Sequence, residues 1–251
     1  MNHKTSLRVF LSHNPFESPL TLGFFYREKM RAIHQVAPDL PFREILEIGG
    51  GRSGLTRLLY QHAHITNLDL DASHADAPCN RQQDVHFVSG DATHLAFDSH
   101  SFDALTMFDV LEHIRDHQKA VAEALRVLRP GGYLLVSTPN EHWRFPFYRF
   151  MQKWCPTEQD MFKEWGHVRR GYSLEELDKL IAIPRQGSAT FISPITVLCH
   201  DFAFSRLGKR MRRALCLALS PVTWTGYALH TPANIGTETA SCWSKPPDSS
   251  R

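Results

Sequence analysis

Long hydrophobic runs are missing from this chain. The longest purely apolar stretch near the C-terminus, Ala214 to Leu219, is far short of the ~20 residues that cross a bilayer, so no transmembrane segment is expected. The opening residues, MNHKTSLRVFLSHN, lack the apolar core of a signal peptide. Paired cysteines are missing too. Cys79, Cys155, Cys199, Cys216 and Cys242 are scattered, and none stands in a C-x-x-C pair. Such a set points to reduced thiols in a cytoplasmic protein rather than a disulfide framework. There is little excess of one charge: 28 Lys and Arg against 26 Asp and Glu leave a formal charge of +2, which argues against a nucleic-acid partner. Repeats and low-complexity tracts are absent. With 42% hydrophobic and 22% charged residues the composition is that of a folded globular protein. At 251 residues, a chain can bury roughly 70–75% of the surface its unfolded form exposes and needs no staples.

What is present is a strand–helix alternation. A first helix is expected over 18–38, opening at Ser18-Pro19 and stopped by Pro38, with Leu22, Tyr26, Met30, Ile33 and Ala37 on one stripe. Strands are expected at Arg43–Ile48, Ile65–Leu70, Val85–Val88, Phe102–Phe108 and Tyr133–Thr138, and helices at Leu55–His62 and Asp116–Leu128. This alternation argues a parallel sheet with crossover helices. Further on, Ser173-Leu174-Glu175-Glu176 is a capping box opening a short helix. Ala189–Leu198 reads as a sixth strand and Thr237–Trp243 as a seventh. We expect one domain over 1–251: the N-terminal helix, a cofactor-binding core at 43–140, and an acceptor cap with the C-terminal strands at 141–251.

The densest signal is Ile45-Leu46-Glu47-Ile48-Gly49-Gly50-Gly51-Arg52-Ser53-Gly54. A strand that ends in glycines before a helix lets a ligand approach the backbone. Gly49-x-Gly51-x-x-Gly54 also fits the dinucleotide fingerprint, with Asp69 further on. Three acids at successive strand ends, Glu47, Asp69 and Asp91, suit a ligand carrying an ammonium, a ribose and an adenine better than a pyrophosphate.

The series ILEIGGGRSG, NLDLD, SGDATHLAFDSHSFD, FDVLEH and EALRVLRPGGYLLVSTPN, in that order, resembles the class I S-adenosylmethionine-dependent methyltransferases, in the small-molecule branch with a type 11-like domain. The resemblance covers at least residues 43–182. It implies an α/β, Rossmann-like fold with a seven-stranded sheet, mostly parallel with the last strand antiparallel, and helices on both faces. It implies S-adenosyl-L-methionine as cofactor. Glu47, Gly49 and Gly51 would line its methionine end, Asp69 its ribose, Asp91 with Ala92 its adenine, and Asp109 would lie near the sulfonium. One departure is local: Ser53 stands where the family has its third glycine, and Gly54 follows.

A hydroxyl acceptor must lose a proton, and His is the commonest group to take it. The candidates are His113, His142 and His167, with His167 preferred because similar methyltransferases carry a His-x-Arg there. His113 and His117 have a spacing that can place two metal ligands on one helix face, but no third ligand with recognisable spacing follows, so no metal is expected. Phe145-Pro146-Phe147-Tyr148-Arg149-Phe150-Met151 is either core or the wall of an apolar acceptor pocket. Residues 206–219 pair an apolar stripe (Leu207, Met211, Ala214, Leu215, Ala218) with a basic one (Arg206, Lys209, Arg213). That is the pattern of a helix at a membrane surface, or of one whose apolar side packs on the domain. The activity expected is methyl transfer, O-methylation favoured, to a small-molecule, glycan or lipid-like acceptor. The alternatives are an NAD(P)-dependent oxidoreductase and a non-catalytic binding partner with this fold.

Overall fold

The computed structural model describes residues 3–16 and 22–248. Seven strands make one sheet: β1 (Glu44–Ile48), β2 (His64–Asp69), β3 (Val85–Ser89), β4 (Phe102–Phe108), β5 (Leu128–Pro139), β6 (Arg185–Phe191) and β7 (Glu238–Ser244). Their order is β3-β2-β1-β4-β5-β7-β6. The first five run parallel, and β7 is antiparallel to both β5 and β6. The chain starts mid-sheet at β1, travels outward to β3, then crosses back to β4. The carboxyl ends of β1 and β4 therefore flank a topological switch point, where α/β sheets open a ligand crevice.

Eight helices surround the sheet: α1 (Leu7–Ser12), α2 (Leu22–Val36), α3 (Leu55–Leu59), α4 (His117–Val127), α5 (Glu158–Trp165), α6 (Leu174–Ile181), α7 (Pro194–Ala203) and α8 (Lys209–Leu229). Strand alternation divides the core between the two faces. Ile45, Ala104 and Leu135 point to one side and pack with Phe24, Met30, Ile33, Leu55 and Leu59 from α2 and α3. Leu46, Ile48, Leu105, Met107, Leu134 and Val136 point to the other and pack with Val121, Ala124, Leu177 and Ile181 from α4 and α6. The capping box at Ser173 is formed, with Ser173 and Glu176 each accepting the other's backbone N–H.

One expectation is not reached and two are refined. The Ser18-Pro19 start of the first helix lies outside the described residues. The run Ala189–Leu198 is not one strand: β6 ends at Phe191, Ser193 accepts the Thr196 N–H as an N-cap, and Pro194 opens α7. A Ser-Pro pair inside an apolar run is a helix start, and it outweighs the β-branched composition. The aromatic stretch after β5 is divided: Phe145 and Met151 are core, Phe147 and Tyr148 are partly buried, and Phe150 is exposed. Trp143, Phe145, Met151, Cys155 and Met161 form a small cluster of their own against Phe162, Trp165, Phe202 and Phe204.

The long helix α8 divides unlike either sequence reading. Cys216, Thr223 and Gly226 face inward, while Met211, Ala214, Leu217, Ala218, Val222 and Leu229 are exposed together with Lys209, Arg210 and Arg213. Among the described residues no helix is long and apolar enough to cross a membrane.

Candidate active site

A cavity of about 470 Å³ opens at the switch point, lined by residues from the ends of β1, β2, β3 and β4. Gly49, Gly51, Asp69, Asp91, Ala92, Asp109 and His113 are all on its wall. A cavity of about 560 Å³ lies on the other side of α3, but it has no carboxylate in its lining and sits away from the strand ends.

The glycine loop is shaped by its neighbours. Gly49 has φ +68°, and a Cβ there would stand 2.5 Å from Val110 Cγ2. Gly54, also at positive φ, would strike Cys79 Cβ at 2.7 Å. Gly54 rather than Ser53 therefore meets the glycine requirement at the start of α3. Asp69 is tied to the loop: its Oδ2 accepts the Gly51 N–H at 2.9 Å and its Oδ1 the Asp71 N–H at 2.9 Å. Each carboxylate oxygen retains a lone pair for a further donor. Asp91 accepts the Thr93 N–H at 2.8 Å, which holds its carboxyl below the ordinary value.

Glu47 lies elsewhere than the resemblance implies. It shares a strand face with Ile45 and so points toward α3, beneath the loop rather than onto the cavity wall. Only 2% of it is exposed, and its Oε1 accepts the Thr56 N–H at 3.4 Å. Burial pushes its carboxyl above the ordinary value. The case against a pyrophosphate changes accordingly. A phosphate at this turn needs free loop and helix amides, but Gly51 N–H is given to Asp69 and Thr56 N–H to Glu47.

Asp109, at φ +53°, follows β4. Its Oδ2 receives Lys29 Nζ at 2.6 Å and its Oδ1 the Ser137 hydroxyl at 2.6 Å. Burial opposes its charge, but Lys29 and these bonds outweigh burial and keep its carboxyl below the ordinary value. Lys29 comes from α2, which lays Tyr26 beside it, with Nζ 5.4 Å from the ring centre. Sequence reasoning missed both residues. The available signal was Arg27-Glu28-Lys29 within the apolar helix: three successive charges span about 200° of a helix, so one or more must face inward.

Other buried acids have their carboxyls raised above the ordinary value. Burial, then the charge of Asp109, pushes Glu112 up to about 8. The same two causes raise Glu238 at the start of β7. Burial, opposed by Arg31, pushes Glu28 up to about 8.

The three candidate histidines separate. His142 is half-exposed, with its Nε2 3.9 Å from Glu141, and is not on the cavity wall. His113 is on the wall, and His167 stacks edge-on against it with ring centres 4.7 Å apart. Burial, then the neighbouring His113, lowers His167 to about 4, so it is neutral at physiological pH. His117 does not join them: its Nδ1 meets the Tyr172 hydroxyl at 2.6 Å. Arg169, two residues after His167, fixes the loop in place. It donates to the carbonyls of Leu111, Ile114 and Arg115, and so clamps the α5–α6 loop to the turn after β4.

Residues 46–136 match a family described as a methyltransferase domain. Among relatives, the chain is 33% identical over 113 residues to the demethylmenaquinone methyltransferase of Renibacterium salmoninarum, covering 44% of this chain and 47% of that one. It is 27% identical over 135 residues to the ubiquinone biosynthesis O-methyltransferase of Coxiella burnetii, covering 48% and 58%. The chain thus spans about half the length of the curated relatives it matches. A solved structure from Thermotoga maritima, described as an S-adenosylmethionine-dependent methyltransferase and possible histamine N-methyltransferase, superposes with a TM-score of 0.58 at 19% identity, covering 96% of this chain and 100% of that one. The sheet has the Rossmann-like fold of this solved methyltransferase, and the likeness would bring S-adenosylmethionine to the cavity. The cavity residues fit it. Asp69 and Asp91 offer acceptors at neighbouring strand ends, Gly49 and Gly51 keep the floor bare, and Leu70 at the rim is 79% exposed, an apolar surface that a flat ring would cover.

Proposed function

We propose that the chain is an S-adenosylmethionine-dependent methyltransferase acting on a small or lipid-like acceptor, with O-methylation favoured. The observation that carries this is the cavity at the β1–β4 switch point, with Asp69, Asp91 and Asp109 on one wall and His113 beside them. The cofactor, when bound, supplies a methyl group on a sulfonium. Asp69 would hold the ribose and Asp91 with Ala92 the adenine. Asp109, its charge kept by Lys29, stands where a cationic centre is stabilised. Holding acceptor and methyl donor in line and excluding water can supply about 7–11 kcal/mol. A hydroxyl acceptor would lie on the side of the cavity where His113 stands, with His167 stacked against it.

The exposed face of α8 supports an acceptor that partitions into membranes. Apolar side chains flanked by Lys209, Arg210 and Arg213 would rest on an anionic bilayer surface.

Calorimetry with S-adenosylhomocysteine and with NADH tests the cofactor. Binding of the first and not the second is expected. Asp69→Ala should weaken S-adenosylhomocysteine by about 1.5–3 kcal/mol, the value of hydrogen bonds to a charged acceptor. NADH binding with no response to S-adenosylhomocysteine would replace this reading with a dinucleotide enzyme. An affinity within about twofold of wild type, under 0.5 kcal/mol, would remove Asp69 from the site.

A further inference from the structure

Glu112, His113 and His167 bring one ligand atom each to within 4.8 Å of one another. Two of these groups are unsatisfied. Glu112 is 1% exposed, and its Oε1 has no hydrogen-bond partner; His167 Nδ1 is buried and has none either. Orphaned polar atoms of this kind are rare in folded proteins. The third residue is already oriented. His113 Nδ1 lies 3.2 Å from the Gly166 carbonyl oxygen, so a proton on Nδ1 leaves the lone pair of Nε2 free. A carbonyl holding the far nitrogen in this way is the usual support of a metal-binding histidine.

The two segments that carry the ligands are joined before any cation arrives. Val168 N–H donates to the Glu112 carbonyl at 2.9 Å, and Arg169 clamps the carbonyls of Leu111, Ile114 and Arg115. The side chains at the junction are therefore brought together by backbone contacts and not by attraction for one another.

We propose that Glu112, His113 and His167 form a binding site for one divalent transition-metal cation. Two imidazoles and one carboxylate are the ligand set of open Zn²⁺ sites and of related Mn²⁺ and Fe²⁺ sites. Small side-chain rotations bring the three atoms to the roughly 2.0–2.2 Å that such bonds require. Three protein ligands leave positions open, and His113 is on the cavity wall. Resting on the methyltransferase reading, the cation takes the oxygen of a hydroxyl acceptor at an open position. The O–H proton leaves to solvent water and the oxygen stays on the metal with its electron pair, ready to be methylated. This places the acidifying power in the cation and makes the two histidines its ligands.

The test uses the full chain, freed of metal by a chelator and then dialysed free of it. Mn²⁺ is titrated in with no cofactor present and followed by the loss of the free-ion paramagnetic resonance signal; Zn²⁺ is titrated separately by calorimetry. One equivalent of each is expected to bind, raising the thermal midpoint. Glu112→Gln and His167→Ala should each weaken Mn²⁺ binding by at least about tenfold, and His142→Ala should leave it unchanged. Circular dichroism checks the fold of each variant, and His113→Ala is a second imidazole deletion should His167→Ala misfold. No saturable Mn²⁺ or Zn²⁺ binding, or binding indifferent to Glu112→Gln and to the imidazole deletions, overturns the site. S-adenosylhomocysteine affinity is measured on the same metal-free chain. Metal binding without S-adenosylhomocysteine binding fails the methyltransferase reading and leaves the site, whereas the reverse fails the site and leaves the reading.

Discussion

The cavity wall and the buried interior treat negative charge in opposite ways. On the wall, Asp69 and Asp91 are anchored by backbone N–H groups two residues away or on the adjoining loop. Off the wall, Glu28, Glu112 and Glu238 come from three distant segments and have their carboxyls raised by burial. Local hydrogen bonds make an ionised acceptor whose position does not depend on distant packing. Tertiary burial makes a neutral acid that changes state when a partner arrives. The first arrangement suits a cofactor common to a large family.

The sharpest way to break the cavity wall is at the loop. Gly49 sits at positive φ with Val110 Cγ2 at 2.5 Å from the place of a Cβ, so Gly49→Val both strains the backbone and drives the loop into the next turn. S-adenosylhomocysteine binding should be lost, a fall of about 3 kcal/mol or more. Far-ultraviolet circular dichroism should change little, because the strain is local. Tight binding by this variant would mean that the loop floor is not the cofactor surface.

The same contrast explains what was legible in the sequence. Gly49, Gly51, Asp69, Asp91 and Asp109, named from the acids and glycines at strand ends and from the family resemblance, all reach the cavity wall. Glu47 was also legible, but the resemblance overrode the period-two rule that puts it with Ile45 on the α3 face. The rest of the site was much less so. Lys29 and Asp109 are 80 residues apart in the chain, and nothing local to either announces the pair. His113 invited comparison with His117 by helical spacing, yet its neighbour is His167, delivered by a loop that Arg169 fastens down. In the fold, the β5–β7–β6 end was visible in outline, while the Ser193-Pro194 helix start inside an apolar run was read past.

The buried interior can be sharpened by pH. Glu28 is fully buried with both carboxylate oxygens unpartnered, and burial raises it from 4.5 to about 8. The unfolded chain releases this proton near 4.5, whereas the folded chain keeps it to about 8. The folded state thus binds more protons across that window, and its stability falls as pH rises through it, then levels off. Glu28→Gln cannot titrate. Relative to wild type it should gain on the order of 1–3 kcal/mol between pH 5 and pH 8, measured by urea unfolding at the two pH values. A difference that is the same at both would show that Glu28 is ionised or paired in the fold.

The smallest expected effect lies outside the crevice, on α8. Its 21 residues extend about 31 Å, long enough to lie along a bilayer surface. Met211, Leu217, Val222 and Leu229 are 54–68% exposed, an unusual cost unless something apolar covers them. Each cation near an anionic surface contributes about 1 kcal/mol, so Lys209, Arg210 and Arg213 together set a weak, salt-sensitive attraction to which the apolar face adds insertion. Sedimentation with vesicles containing phosphatidylserine should carry the protein down at low salt, and vesicles of phosphatidylcholine alone should not. Val222→Glu places a charge in the exposed row of Met211, Ala218, Val222 and Leu229, which share one side of the helix, and should abolish sedimentation while leaving S-adenosylhomocysteine affinity unchanged. Equal sedimentation of this variant, or none of the wild-type protein with anionic vesicles, would show that the exposed face of α8 does not meet lipid.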